Sequence, residues 1–300
     1  MTITIHEVLS ALRTAGPNVE RGTRFEELMV DFIRLDPELA GHYDQVSRWV
    51  DWTHRGSSVD VGIDLVARER DTGGWTAIQC KFYEPTHWLG KADIDSFFTA
   101  SGKTWNGQQF SNRIIISTTD KWSKHAEEAL DGQVVPVQRI GVEQLAESSV
   151  DWAFTDKATV QVELRLARKY SVRQHQRQAI DAIRAGFAEH DRGQWISACG
   201  TGKTFTSLRL AEELAGANGG SLRVLFLAPS IQLVSQTLRE WTAHASLDLR
   251  AAVVCSDTKS SRAAEDISPH DIPLPATTDP QALYQRLAVA RRAAGLSVVF

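Results

Sequence analysis

The sequence predicts an α/β fold with two domains. Short apolar strands alternate with helices over most of the chain, which is typical of an α/β layer. A strand, a glycine-rich turn and a helix follow one another at residues 195–214. Residues 148–169 are mixed and charged, as expected where two domains join. A length of 300 residues fits two ordinary domains, and we expect these to span residues 1–160 and 161–300.

The composition excludes several classes of protein. Hydrophobic residues make up 42% and charged residues 23%, as in a folded globular chain. No apolar run approaches the roughly 20 residues of a membrane span, and the N-terminus has no basic-then-apolar signal pattern. We therefore expect a cytoplasmic protein with no membrane partner. The three cysteines are scattered without C-x-x-C spacing, which favours a reducing compartment and argues against a zinc site.

Helices and strands are predicted to alternate over residues 1–147. Residues 43–52 are aromatic-rich and are predicted to be extended, and an Asp/Thr/Gly/Gly turn at 71–74 separates two β-rich runs, which indicates a hairpin. The predicted helices are 3–15, 22–35, 91–102, 122–130 and 142–147, and the predicted strands are 61–67, 75–82, 113–118 and 134–140.

The hairpin brings three polar residues to one patch. Centring the turn on Thr72 and Gly73 places Asp64 opposite Lys81, with Gln79 diagonal to Asp64. In a nuclease, Asp64 would bind Mg²⁺, Gln79 would offer a second oxygen, and Lys81 would orient water and stabilise the scissile phosphate. The alternative is a solvated Asp–Lys cross-strand pair, which is common on sheet surfaces.

The second half is organised around residues 197–204, SACGTGKT. A strand is predicted at 195–199 and a helix at 205–214, the context that a phosphate-binding loop requires. The backbone around Gly200, Thr201 and Gly202 would cradle phosphates of ATP, Lys203 would neutralise them, and Thr204 would bind Mg²⁺. The alternative is a glycine-rich turn with a chance Lys-Thr pair. Further helices are predicted from 172 and at 231–244 and 281–294, strands at 223–228, 251–255 and 297–300, and a mobile loop at 257–280.

Two sets of motifs resemble known families. G-I-D-L-V-A followed by A-I-Q-C-K-F resembles the G-x-D…Q-x-K signature of the Mrr-like PD-(D/E)xK nucleases, and residues 25–28 resemble the F-E-x-L helix of that family. The resemblance implies a restriction-endonuclease-like fold with Asp64, Gln79 and Lys81 as catalytic residues and Glu26 as an additional acidic residue. Read as A-x-x-G-x-G-K-T, the glycine-rich loop resembles the motif of superfamily 2 helicases, which implies a RecA-like lobe.

Two further segments extend the helicase resemblance. Residues 171–176 resemble the segment whose glutamine reads adenine, which implies that Gln176 and Arg173 contact ATP; ordinary helix surface is the alternative. Residues 227–236 resemble motif Ia, which implies nucleic-acid contacts by Pro229 and Ser230. A Pro-Ser helix start without a ligand is the alternative there. The sequence has no D-E-x-H or D-E-x-D run, so we expect a helicase lobe truncated before that motif, without detectable ATP hydrolysis by these 300 residues.

Together the two halves resemble the N-terminal part of a type ISP restriction–modification enzyme, in which an Mrr-like nuclease precedes a helicase-like translocase. This resemblance implies an ATP-dependent endonuclease that moves on double-stranded DNA, with ATP and Mg²⁺ as cofactors. It also implies methyltransferase and target-recognition domains in the same full-length polypeptide. Two alternatives stay open: a motor whose nuclease-like domain only binds DNA, and a helicase-nuclease that acts in repair or on RNA.

Overall fold

The computed structural model describes residues 3–57, 61–156, 160–255, 268–290 and 294–300. Within these ranges, no helix is both long and apolar enough to cross a membrane. The helices are α1 (Ile5–Thr14), α2 (Asn18–Leu35), α3 (Pro37–His42), α4 (Asp95–Ser101), α5 (Lys124–Leu130), α6 (Val142–Glu147), α7 (Gln174–Glu189), α8 (Lys203–Ala217), α9 (Ile231–His244) and α10 (Pro280–Ala290). The strands are β1 (Tyr43–Arg48), β2 (Leu65–Glu69), β3 (Trp75–Lys81), β4 (Phe110–Ser117), β5 (Val137–Ile140), β6 (Val150–Asp156), β7 (Gln161–Leu166), β8 (Ser221–Leu225), β9 (Leu249–Ala252) and β10 (Gly295–Val299).

The first domain is a five-stranded sheet in the order β1–β2–β3–β4–β5 with helices on both faces. The β1–β2 and β2–β3 pairs are antiparallel, and β3, β4 and β5 run parallel. Because successive strand residues point to opposite faces, Ile78 packs with α1 and α2 on one side, whereas Ala77 packs with α4 and α5 on the other. The predicted α/β architecture of this half is confirmed.

Two elements of the first domain were not predicted. The helix predicted at 22–35 ends before Asp36, but Asp36 also caps α3 by accepting hydrogen bonds from the amides of Glu38 and Leu39 (3.1 and 3.2 Å). The antiparallel hairpin β6–β7 packs Trp152 of β6 into the core beside α1 and α2. Val162 and Leu164 of β7 are partly buried against the same core.

The second domain contains a parallel three-stranded sheet in the order β8–β10–β9. Helices α8 and α9 pack on it through Leu208, Leu238 and the fully buried Trp241. The prediction of a strand at 195–199 is wrong. A strand needs a neighbour to take its backbone hydrogen bonds, and none of the described strands pairs with these residues, which leave Ile196 83% exposed.

A segment of the second domain, residues 268–276, lies against the first domain; we call it the strap. The predicted loop at 257–280 lies outside the described residues up to 267, whereas residues 268–277 are at least partly buried and residues 278–280 are exposed. Ile272 and Leu274 are buried in the core of the second domain. His270 contacts the Val137 carbonyl (2.8 Å) on the edge strand β5, and Asp271 forms a forked ion pair with Arg139 of that strand. The strap therefore joins the two domains by side-chain contacts.

Candidate nuclease and nucleotide sites

The turn between β2 and β3 lies one residue earlier than predicted. Leu65 pairs with Ile78, and the turn is closed by bonds from the Glu69 amide to the Gly74 carbonyl (2.8 Å) and from the Gly73 amide to the Glu69 carbonyl (2.9 Å). Four residues, 70–73, form the turn, because Gly73 adopts a left-handed conformation (φ 71°) that closes it. The strand pairing is consequently shifted by two residues from the prediction.

Because of this shift, Asp64 lies beside residues 78–80 of β3 and not opposite Lys81. The Asp64 amide donates to the Ile78 carbonyl (3.0 Å), and the Asp64 carboxylate accepts the Cys80 amide proton (2.7 Å). Asp64 therefore lies beside Gln79 at the end of the hairpin, and the prediction that it lies opposite Lys81 is wrong. Lys81 remains two residues further along β3, on the same strand face as Gln79.

Glu26 approaches this region from the helix layer on the other face of the sheet. Burial raises the pKa of the Cys80 thiol, and the carboxylates of Asp64 and Glu26 raise it further, which places both charges near Cys80. Glu26 lies on α2, with its carboxylate 3.9 Å from the Arg48 guanidinium. It is thus close to the patch but is also engaged by a basic side chain.

Gln79 supplies the clearest sign of a ligand-binding group. The side chain is 2% exposed, and its amide nitrogen donates to the Gly62 carbonyl (3.0 Å). Its amide oxygen is buried and has no hydrogen-bond partner among the described residues. Amide and carboxylate oxygens are ligands that Mg²⁺ accepts, so Asp64 and Gln79 fit a Mg²⁺ ion. Across the part of the chain that the structure describes, no cluster of three or more His, Cys, Asp or Glu side chains could hold a metal.

An acidic residue near Lys81 was missed from the sequence. Burial opposes ionisation of Asp93, but hydrogen bonds from the Gly90 amide and Tyr83, with the charges of His87 and Lys81, lower the pKa of its carboxyl group. Asp93 follows a loop that starts directly after β3. No sequence signal distinguished it, because residues 91–102 were interpreted as one helix, whereas a 3₁₀ turn at Lys91–Asp93 precedes α4.

The glycine-rich loop contains two left-handed glycines directly before a helix. Gly200 and Gly202 are left-handed (φ 75° and 76°), and α8 begins at Lys203. The Lys203 ammonium donates to the carbonyls of Ser197 and Ala198 (3.1 and 3.0 Å), which holds its charge over the turn. A helix N-terminus behind a glycine-rich turn is suited to an anion.

Gln176 braces this loop from α7. Its amide oxygen accepts the Arg173 backbone proton (2.9 Å), and its amide nitrogen donates to the Thr201 carbonyl (3.1 Å). The side chain is 6% exposed. Both ends of the amide are thus bonded within the protein, and the adenine contacts predicted for Gln176 and Arg173 remain predictions.

The remaining residues predicted to contact ligands are Pro229 and Ser230, which directly precede α9, and Thr204, which lies on α8. Pro229 is exposed, and Ser230 caps α9 by accepting the Leu233 amide proton (3.3 Å). Thr204, predicted to bind Mg²⁺, accepts a hydrogen bond at its carbonyl from the Trp241 indole (3.0 Å), which ties α9 to the phosphate-loop helix. The hydroxyl function predicted for Thr204 and the DNA contacts predicted for Pro229 and Ser230 stay predictions.

Comparisons with known proteins match both domains in order. A family described as restriction endonuclease matches residues 34–161, and a family described as the res subunit of type III restriction enzymes matches residues 169–278. Among solved structures, the ATP-dependent type ISP restriction–modification enzyme LlaBIII bound to DNA matches 94% of this chain with 34% identity and a TM-score of 0.80. Over nearly its whole length, the chain is similar in sequence and in fold to a type ISP restriction–modification enzyme.

The type ISP match covers part of a much larger protein, because this chain spans 18% of the LlaBIII chain. A nuclease-deletion mutant of the type ISP enzyme LlaGI, in complex with a DNA substrate mimic, matches 44% of this chain and 12% of its own with 40% identity (TM-score 0.37). The MspJI restriction endonuclease in complex with a 27-mer oligonucleotide matches 41% of this chain and 26% of its own with 20% identity (TM-score 0.28). No curated protein sequence gives a significant match.

Proposed function

We propose that this chain cleaves duplex DNA with Mg²⁺ and couples cleavage to ATP-driven translocation. The observation that carries the proposal is the position of Asp64, whose carboxylate accepts the Cys80 amide proton, next to Gln79, whose buried amide oxygen has no hydrogen-bond partner among the described residues. The phosphate-binding geometry at Gly202 and Lys203 supports the ATP-dependent part. The 34% identity to LlaBIII, solved with DNA, supports duplex DNA as the partner.

Each residue of the nuclease site has a distinct role in this proposal. Asp64 and Gln79 would hold Mg²⁺, which when bound polarises the scissile phosphate and promotes attack by water. Lys81 places a positive charge where negative charge develops on the phosphate and orients the attacking water. Glu26 adds a second carboxylate at the margin of the site.

The motor half supplies the remaining roles. Lys203 would pair with the β- and γ-phosphates of ATP, Thr204 would bind its Mg²⁺, and the amides around Gly200 to Gly202 would face the phosphates. Pro229 and Ser230 would contact the DNA backbone. We expect methyltransferase and target-recognition domains in the same full-length polypeptide, and a domain boundary close to residue 160.

A second candidate function is a DNA-binding domain without nuclease activity. It is favoured by one observation: among the described residues, no third acidic, His or Cys ligand joins Asp64 at the patch. Under this alternative the chain binds DNA through the same surface but leaves the phosphodiester bond intact.

Replacing Asp64 or Lys81 by alanine tests the proposal. We expect each variant to lose Mg²⁺-dependent cleavage of duplex DNA, while the melting temperature and DNA affinity stay near those of the parent. Asp44→Ala, an exposed aspartate on β1, and Lys103→Ala, an exposed lysine at the opposite end of the sheet, are the matched controls. Cleavage by Asp64→Ala at the parent rate would remove the patch from the mechanism; binding without cleavage by the parent protein would favour the second candidate.

A further inference from the structure

Two loops meet beside Lys81 at one edge of the first sheet. Strands β3 and β4 are parallel, with Lys81 paired to Ser117, so the loops that follow them leave the sheet at the same edge. The Leu89 amide donates to the Lys121 carbonyl (2.8 Å), and the Ser123 amide donates to the Leu89 carbonyl (2.9 Å). These backbone bonds join the two loops into one surface next to the candidate nuclease site.

The first of these loops is held firmly by its own side chains. The Asp93 carboxylate accepts the Gly90 amide proton (2.7 Å) and the Tyr83 hydroxyl proton (2.9 Å). The Tyr83 ring lies 4.0 Å from the His87 ring, centroid to centroid, and the Thr119 hydroxyl donates to the His87 carbonyl (2.8 Å). Residue 88 is thus fixed by the anchored His87 on one side and a buried residue, 89, on the other.

Trp88 is presented outward from this rigid loop. Its side chain is 63% exposed. The exposed Lys91 follows it on the same loop, and the exposed Lys121 lies on the second loop, where its carbonyl accepts the Leu89 amide proton. The exposed carboxylate of Glu84 on the same loop lies 3.5 Å from the Arg13 guanidinium, which offsets its repulsion of an anion. A single exposed apolar side chain is ordinary. Here, however, an anchored tryptophan shares the sheet edge that carries Lys81 with two exposed lysines, and this combination is suited to DNA.

We propose that Trp88, Lys91 and Lys121, which we call the rim, form a DNA-binding surface that holds the duplex next to the scissile phosphate. The two lysines pair with phosphates, and the indole packs against the backbone sugars beside them. This inference rests on the proposed function, because it assigns the position of the DNA relative to the nuclease site.

Equilibrium binding tests the rim independently of cleavage. A labelled duplex is titrated with the protein by fluorescence anisotropy, with Ca²⁺ in place of Mg²⁺ and without nucleotide, over a range of salt concentrations. For the Lys91→Ala, Lys121→Ala double variant, we expect the slope of log K against log salt to become shallower by about 1.8, because each phosphate that a lysine neutralises contributes about 0.9 to that slope. For Trp88→Ala we expect a loss of affinity of roughly tenfold, because the apolar contact of the indole with the backbone sugars is removed.

Matched variants keep the result interpretable. Trp88→Phe retains a ring and should recover most of the affinity that Trp88→Ala loses. Lys103→Ala removes an exposed lysine at the opposite edge of the same sheet and should bind like the parent. The rim is refuted if its variants bind with the parent affinity and salt slope, or if Lys103→Ala loses as much as they do. Failure of the proposed function is a separate result, seen as undiminished cleavage by Asp64→Ala.

Discussion

Replacing Gly202 by alanine probes the contact between α7 and the phosphate loop. Gly200 and Gly202 have nearly the same left-handed torsion (φ 75° and 76°), but their surroundings differ. A Cβ atom at Gly202 would lie 2.6 Å from the amide nitrogen of Gln176, whereas a Cβ at Gly200 would meet no atom within 4 Å. The two substitutions therefore share the backbone cost and differ in one steric contact.

The magnitudes follow from this difference. A non-glycine residue in the left-handed region costs about 1–2 kcal/mol, which is the whole effect expected for Gly200→Ala. Gly202→Ala must also displace the Gln176 amide, which breaks its bonds to the Arg173 amide and the Thr201 carbonyl. At about 0.5–1.5 kcal/mol for each net hydrogen bond, we expect Gly202→Ala to cost roughly 2–5 kcal/mol in total.

Urea unfolding of the parent and both variants measures these costs, and a Gln176→Ala background isolates the steric part. Without the Gln176 amide, Gly202→Ala should cost no more than Gly200→Ala, which appears as a coupling energy in the double-mutant cycle. Equal costs for Gly200→Ala and Gly202→Ala in the parent protein, or an unchanged cost of Gly202→Ala in the Gln176→Ala background, would refute the bracing function of Gln176.

Three further predictions follow. Lys203→Ala should abolish ATP turnover in the full-length enzyme, measured as phosphate release, because one preorganised charge is worth ~3–4 kcal/mol in the transition state. Burial and a neighbouring carboxylate raise the pKa of Glu38 to about 8, so the native state binds an extra proton, and the melting temperature should fall as pH rises from about 6.5 to 8 in the parent but not in Glu38→Gln. Arg139→Ala should lower the melting temperature by removing the ion pair with Asp271 between the domains, while Arg165→Ala, which loses only an exposed pair within the β6–β7 hairpin, should not.

Local signals in the sequence were sufficient for most helices and strands and for the position of the phosphate loop. They failed where a residue serves two elements or needs a distant neighbour. Asp36 is the C-cap of α2 and also the N-cap of α3, so the residue that ends one helix also begins the next. Residues 195–199 have the apolar pattern of a strand, but strand formation depends on partners that lie elsewhere in the fold.

The sequence analysis named Asp64, Gln79 and Lys81 for the candidate nuclease site, but it did not predict how they are arranged. Strand alternation placed Gln79 and Lys81 on one face, and the structure agrees. The predicted neighbour of Asp64 was wrong because the register depends on the left-handed conformation of Gly73, which closes a turn over 70–73 that composition alone does not distinguish from one over 71–74. The approach of Asp93 to Lys81 depends on how a loop folds back, and no periodic pattern encodes it.

The strap has a consequence for protein engineering. Its apolar residues Ile272 and Leu274 are buried in the second domain, while His270 and Asp271 contact the first. A chimera made by cutting near residue 160 and attaching a foreign motor would therefore deprive Arg139 of the Asp271 carboxylate and uncover the edge of β5, which could then pair with strands of other molecules. A nuclease domain can be transferred in two ways. Either the new motor domain carries a segment with side chains equivalent to those of His270 and Asp271, or the edge of β5 is redesigned with charged residues that tolerate exposure to water.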